Sequence, residues 1–228
     1  VNPRTLDLYG FAVPETVPWT LALTALLSIA ALIASRRLQL EGLSLWQTAV
    51  ELFCSWIRET VREVVDEDPA PYVPLIGTLM LFIALSNVLS VVPFARPPTA
   101  ELSTTVALAL VVFVAVPFYG IRRHGFRGYL ASYVKPNPIL LPLNLLGEVT
   151  RTVALSVRLF GNVMSGQLIG AILLVVAGAL FPVPLLLLGL LTGIIQAYIF
   201  GILAAVYIAA ALQTDAPSET PTEEVAPQ

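Results

Sequence analysis

Ile139–Leu180 reads ILLPLNLLGEVTRTVALSVRLFGNVMSGQLIGAILLVVAGAL. Within it, Asn144, Glu148, Arg151, Arg158, Asn162 and Ser165 follow one another at steps of +4, +3, +7, +4 and +3. Those steps put the polar residues on one face of a helix, interrupted only by Leu155. Everything else in the stretch is close to apolar. An ionisable side chain at mid-bilayer costs at least about 2.5–3.5 kcal/mol, so such a stripe borders water or the polar site of a partner. Interhelical hydrogen bonding that merely holds a bundle together is the alternative, and two arginines in one stripe weigh against it.

The surrounding chain fits a membrane. Of its 228 residues 57% are hydrophobic and 12% charged, with a mean hydropathy of +0.85; soluble domains carry about twice that share of charge. The expected fold is an all-α membrane protein with one membrane domain over 1–228. Five membrane-embedded helices are expected at 18–35, 72–93, 101–121, 139–180 and 184–212. The first three match the ~20 residues that cross ~30 Å of hydrocarbon. As helices, 139–180 and 185–212 are too long to stand upright, at about 60 Å and about 40 Å. They are expected to form a long, steeply tilted hairpin turned at Phe181-Pro182-Val183-Pro184. In 41–68, Trp46, Val50, Phe53, Ile57, Val61 and Val64 recur at helical spacing with charges opposite, which predicts an amphipathic helix on the cytoplasmic surface. A small soluble hairpin with a solvated face is the alternative for this segment. The tail 214–228 has four acids and little to bury, so disorder is expected there.

Basic residues orient the chain. The Arg36–Ala70 and Arg122–Lys135 loops hold Arg36, Arg37, Arg58, Arg62 and Arg122, Arg123, Arg127, Lys135; the other side has only Arg4 and Arg96. The rich loops therefore belong in the cytoplasm, with the N-terminus outside and the C-terminus inside. Val1–Pro18 does not read as a signal peptide, since acids and prolines stand where a basic start and apolar run are needed. A single Cys and a single His (His124, in a basic loop) leave no internal disulfide, metal cage or cofactor site to expect. The formal charge of −3 gives no footprint for nucleic acid.

The two arginines differ. Arg151 has Glu148 at i−3 and can be paired on its own helix. Arg158 has Ala154, Leu155, Gly161 and Asn162 at its i±3 and i±4 positions, none of them acidic. Its counter-charge has to come from a partner, a substrate anion or water. In the last helix Gly189, Gly193, Ala197, Gly201 and Ala205 form a small-residue seam that lets another helix approach closely. Gln196 sits amid that seam, with Tyr207 further on. It can hydrogen-bond Arg158 if the hairpin folds as expected, or satisfy another helix.

Arg158-Leu159-Phe160-Gly161-Asn162, after Ser156 and before Gly166, resembles the signature of subunit a of F-type rotary ATP synthases. Gln196-Ala197-Tyr198-Ile199-Phe200 with Val206-Tyr207 is similar to that family's second signature. Pro142, Asn144, Glu148 and Arg151 match its upstream pattern, and Ser86-Asn87 matches an earlier span. The likeness covers about residues 45–212. It implies a non-catalytic stator subunit, without cofactor or metal, in a bacterial plasma membrane. The implied partners are a ring of c subunits, a b-type peripheral-stalk subunit, the rest of the complex and membrane lipid. Two half-channels and one essential arginine, here Arg158, would couple H+ flow to rotation of the ring. Asn144, Glu148 and Arg151 fall on the implied inner path; Asn87, Asn162, Gln167 and Gln196 are candidates for the outer path and the surroundings of Arg158, and Tyr207 belongs to the implied ion path without a side.

Three positions depart from the family's pattern. Gln167 and Gly189 stand where many relatives carry an acid and a His, and Thr152 where a Pro is common. An outer path of amides suits Na+ as readily as H+, which makes an Na+-translocating version the alternative. A self-contained anion transporter gripping its substrate with Arg158 predicts pseudo-symmetric halves with paired broken helices, and none is visible. An intramembrane enzyme lacks a nucleophile–base pair within the spans.

Overall fold

The computed structural model describes residues 5–8, 11–14, 16–37, 45–92, 95, 97–134, 141–178 and 182–213. The tail 214–228, expected to be disordered, lies outside the described residues, as do 38–44 and 135–140. Helices dominate: α1 (Thr16–Arg37), α2 (Leu45–Arg62), α3 (Val73–Leu89), α4 (Leu102–Val134), α5 (Leu141–Ala177) and α6 (Pro182–Leu212). Ahead of them is an element that the all-α expectation omits: β1 (Thr5–Leu8) pairs antiparallel with β2 (Phe11–Pro14), Leu8 opposite Phe11.

Prolines mark where helices start. Pro18, Pro74, Pro142 and Pro182 all fall in first turns, where a missing N–H leaves no bond unmade and a fixed φ suits the helix. Pro182, Val183 and Pro184 therefore belong to α6 and not to the turn before it. Gly178 follows the end of α5 with φ at 79°. That left-handed conformation stops a helix at little cost when the residue is glycine.

Four helices are long and apolar enough to cross a membrane, over Thr16–Ala34, Leu102–Tyr129, Pro142–Val176 and Val183–Leu212. Helix α3 is apolar but shorter, with 17 residues, and spans about 26 Å. The stretch 122–134, expected as a loop, is instead helical, continuing α4 past a break at Gly125 (φ 73°, ψ 163°). Polarity suggested a loop, but an arginine-rich helix is stable wherever its charges reach water or headgroups.

The core gathers around α6. Phe200, Ala204 and Ile208 are fully buried together with Ile76 and Ile83 of α3, Val112 of α4, and Leu155 and Leu159 of α5. The small-residue seam of α6 faces α3: a Cβ on Gly193 would stand 2.7 Å from Asn87 Cγ, and one on Gly201 would collide with Met80. On α2 the apolar stripe meets protein. Ile57 and Val61 are buried, and Ile57 Cδ1 lies 3.2 Å from where a Gly77 Cβ would be, while Glu51, Arg58, Glu59 and Arg62 are exposed. The gap left by Gly77 in α3 admits Ile57. Helix α2 ends at Arg62, short of the expected 68. Beyond it, an Asp68 carboxylate accepting from the Ala70 N–H helps turn the chain before Pro69–Pro71. Helix α1 has Leu23 as its buried apolar residue and otherwise presents apolar side chains outward.

Candidate functional site

Helix α5 carries the polar residues, and its packing sorts them. Leu155, Ser156, Leu159 and Val163 are buried against α4 and α6. Leu155, at the centre of the polar stripe, points inward, so the stripe runs along the edge of the buried face. Arg158 is exposed on the outer side, next to exposed Ala154, Val157 and Gly161. Among the described residues it has no hydrogen bond or ion pair.

Two recesses open along α5, one on either side of Arg158. The first, of about 400 Å³, is lined by Asn144, Glu148, Arg151 and Thr152 of α5, Tyr207 of α6, and Val112, Val116 and Tyr129 of α4. The Arg151 guanidinium stands 5.3 Å from the centre of the Tyr207 ring, within cation–π range. Thr152 donates its hydroxyl to the Glu148 carbonyl at 3.0 Å. Helix α5 runs on through this position, where a proline would have broken the ladder. The second recess, of about 40 Å³, brings together Asn87 and Ser90 of α3, Asn162 and Gln167 of α5, and Gly189 of α6. Its polar groups are amides and a hydroxyl, with no titratable side chain among the lining residues. Such a cavity is large enough, and polar enough, for a hydrogen-bonded water. Because α5 pairs with the far end of α6 in one recess and the near end in the other, the two helices are antiparallel. Fourteen positions separate Glu148 from Asn162, about 21 Å along α5. Arg158 stands between the recesses and lines neither.

Asn87 is 3% exposed and donates to the Gly193 carbonyl at 2.8 Å, so its amide nitrogen is committed to holding α3 on α6. Next to it, Ser86 and Thr99 share a 3.0 Å hydroxyl bond that fastens the Pro98–Ala100 turn. Gln196 joins neither recess. The Gln196–Arg158 hydrogen bond is not formed: Gln196 is 7% exposed, and its buried Nε2 has no partner among the described residues. It shares the inward face of α6 with Ala197 and Phe200, whereas Arg158 turns outward.

Tyr129 and Ser90 are polar lining residues that sequence reading missed; Tyr129 is the more instructive. It falls in a stretch taken as a loop, and only the break at Gly125 returns its ring to Gly120 and the first recess. At the same end, Arg123 pairs with Glu67 at 2.7 Å, His124 Nε2 lies 2.9 Å from the Leu212 carbonyl, and Gln213 donates to Asp66 at 2.8 Å. These contacts fasten the end of α6 to α4 and to the α2–α3 connection. The nearby Tyr72 ring packs edge-on against Tyr119. Among the described residues no group of acids, His and Cys is arranged to hold a metal.

A sequence profile of the family described as ATP synthase A chain matches residues 17–209. The chain is 52% identical over 206 residues to "ATP synthase subunit a 2" of Acaryochloris marina (strain MBIC 11017), covering 90% of this chain and 88% of that protein. It is 52% identical over 205 residues to "ATP synthase subunit a" of Nitrosospira multiformis, covering 89% and 82% respectively. With "ATP synthase subunit a 1" of Chlorobaculum parvum it shares 50% identity over 200 residues, or 87% of this chain and 88% of the other.

Proposed function

This chain belongs to the ATP synthase A chain family, and from that premise we propose that it is the ion-conducting, non-catalytic stator of a rotary complex. The observation that carries the reading is Arg158: an exposed guanidinium without a partner among the described residues, between two separate recesses along α5. The recess at Glu148 and Arg151 is the inner half-channel, and the one at Asn162 and Gln167 the outer. Rotor carboxylates of a c-type ring pass Arg158. Facing lipid, such a carboxylate is desolvated and holds its proton; near the guanidinium its pKa falls by roughly 1–3 units and the proton leaves. The same positive charge bars direct hopping between the recesses, so transport goes through rotation.

Around this centre, α1, α3, α4, α5 and α6 are the membrane-embedded helices, with α2 on the cytoplasmic surface and α5–α6 as the tilted hairpin. A b-type stalk subunit holds the stator against the ring. The membrane is the bacterial plasma membrane, with the N-terminus outside. An impermeant maleimide added to intact cells is expected to leave Ser55→Cys and Ser132→Cys unlabelled until lysis. Labelling of either before lysis overturns the topology.

The carried ion is H+. One observation favours a second reading, Na+: the outer recess is lined by Asn87, Ser90, Asn162 and Gln167, and amide and hydroxyl oxygens can ligate a hard cation. Purified complex in vesicles, driven by ATP, separates the two. Acidification in Na+-free buffer is expected; uptake of radioactive sodium with no acidification selects the second reading, and movement of neither ion rejects the stator function.

A further inference from the structure

From Leu102 to Arg122, α4 covers about 30 Å, the thickness of the hydrocarbon layer, so Arg122 and Arg123 stand where this helix leaves it. The break at Gly125 follows at once. It is sharp: a Cβ on Gly120 would collide with the Tyr129 ring, whereas a straight helix would hold those residues about 13 Å apart. The segment after the break therefore runs across the axis of α4, along the membrane surface, and not onward into water.

Three side chains stand out at this corner. Phe126 is 67% exposed, and Arg122 and Arg127 are exposed on either side of it in sequence. Arg123 is engaged by Glu67, but Arg122 and Arg127 have no ion pair or hydrogen bond among the described residues. We propose that Arg122, Phe126 and Arg127 form a binding surface for the headgroups of anionic phospholipids. The proposal rests on the membrane placement of α4 and not on the rotary role of the chain.

Charge and apolarity together select this occupant. Two guanidinium groups without a partner among the described residues call for an anion, and the exposed phenyl ring that lies between them in sequence calls for an apolar medium. Phosphate above acyl chain supplies both. The chain's own tail offers Asp215, Glu219, Glu223 and Glu224, but Val225 is its one large apolar side chain, so it answers the arginines and leaves the ring in water.

Native mass spectrometry of the delipidated full chain, titrated with dioleoylphosphatidylglycerol or dioleoylphosphatidylcholine, tests this. Wild type is expected to prefer the glycerol lipid. Arg122→Gln and Arg127→Gln should each lower that preference roughly fivefold, the worth of one basic residue at an anionic surface. The double Lys variant should keep it, and Arg36→Gln, far along the chain, should leave it unchanged. Phe126→Ser should weaken both lipids alike. A glutamine double variant that retains the wild-type preference overturns the proposal. So does a neutralised tail (Asp215→Asn with Glu219, Glu223 and Glu224→Gln) that raises lipid binding several-fold, which would mean that the tail occupies the corner. Because no arm reads ion flow or ATP turnover, failure here leaves the stator reading intact.

Discussion

Arg158→Ala is expected to abolish coupled ATP synthesis in reconstituted vesicles. On the proposed mechanism the guanidinium contributes roughly 1–3 pKa units, about 1.4–4 kcal/mol, to releasing the rotor proton, and without it the carboxylate would stay protonated at the interface. The electrostatic barrier between the recesses goes with it, so passive ion leak through the membrane sector persists or rises while synthesis stops. Arg158→Lys fails as well, because an ammonium lacks the planar, five-donor fork and is more easily deprotonated when desolvated. Arg151→Ala is milder. Its guanidinium lies over Tyr207, inside the larger recess. Along the helix axis it is about 10 Å from Arg158. Synthesis near the wild-type rate in Arg158→Ala vesicles would remove the basis of the stator mechanism.

Gly193→Leu prevents assembly. A Cβ there would stand 2.7 Å from Asn87 Cγ and 2.8 Å from Asn87 Cβ, atoms close to the α3 backbone that cannot swing aside. The substitution adds overpacking of about 1–3 kcal/mol. It also takes away the 2.8 Å bond from Asn87 to the Gly193 carbonyl, leaving a buried donor unpaired. Gly189→Leu, one turn earlier, meets nothing within 4 Å and should assemble. Gly201→Leu falls between them, since what it meets is the flexible end of Met80. Native gels of membranes carrying each variant give the order directly. Equal amounts of complex in Gly193→Leu and Gly189→Leu would show that the contact between α3 and α6 does not govern assembly.

How much of this was legible from sequence depended on what signal each feature leaves. The helices α5 and α6 were readable to within a few residues because a long, mainly apolar stretch leaves the backbone no other way to satisfy itself in a membrane. The glycine spacing of α6 announced a close contact but could not say with which helix; α3 takes that place, and nothing local to 189–205 encodes the choice. The segment 122–134 was misread because arginine content signals depth in the membrane, not conformation, and its turn depends on a single positive φ at Gly125. Among site residues, the separation of Asn144, Glu148 and Arg151 from Asn162 and Gln167 matches their order along α5, on either side of Arg158, whereas the place of Tyr207 beside the first group needed the antiparallel packing of α6. The isolation of Gln196 was not legible, since a rotation of α6 by one residue, about 100°, decides whether it meets Arg158 or the core. The β1–β2 hairpin was too short for a periodic signal to register.

The inner face of α5 has a mechanical consequence. Leu155, Ser156, Leu159 and Val163 are buried for two turns directly behind the exposed side that bears Arg158. A rotor pushing past that charge loads the helix sideways, at right angles to its axis. A beam clamped along its rear face transmits such a thrust into the elements behind it with little deflection, and here those elements are α4 and α6, with α3 bracing α6. Only the long, freely rotating arginine side chain is then compliant. In the proposed stator the backbone would then stay still while the charge follows each passing carboxylate, and torque would be borne by packed apolar contacts instead of being absorbed at the ion path.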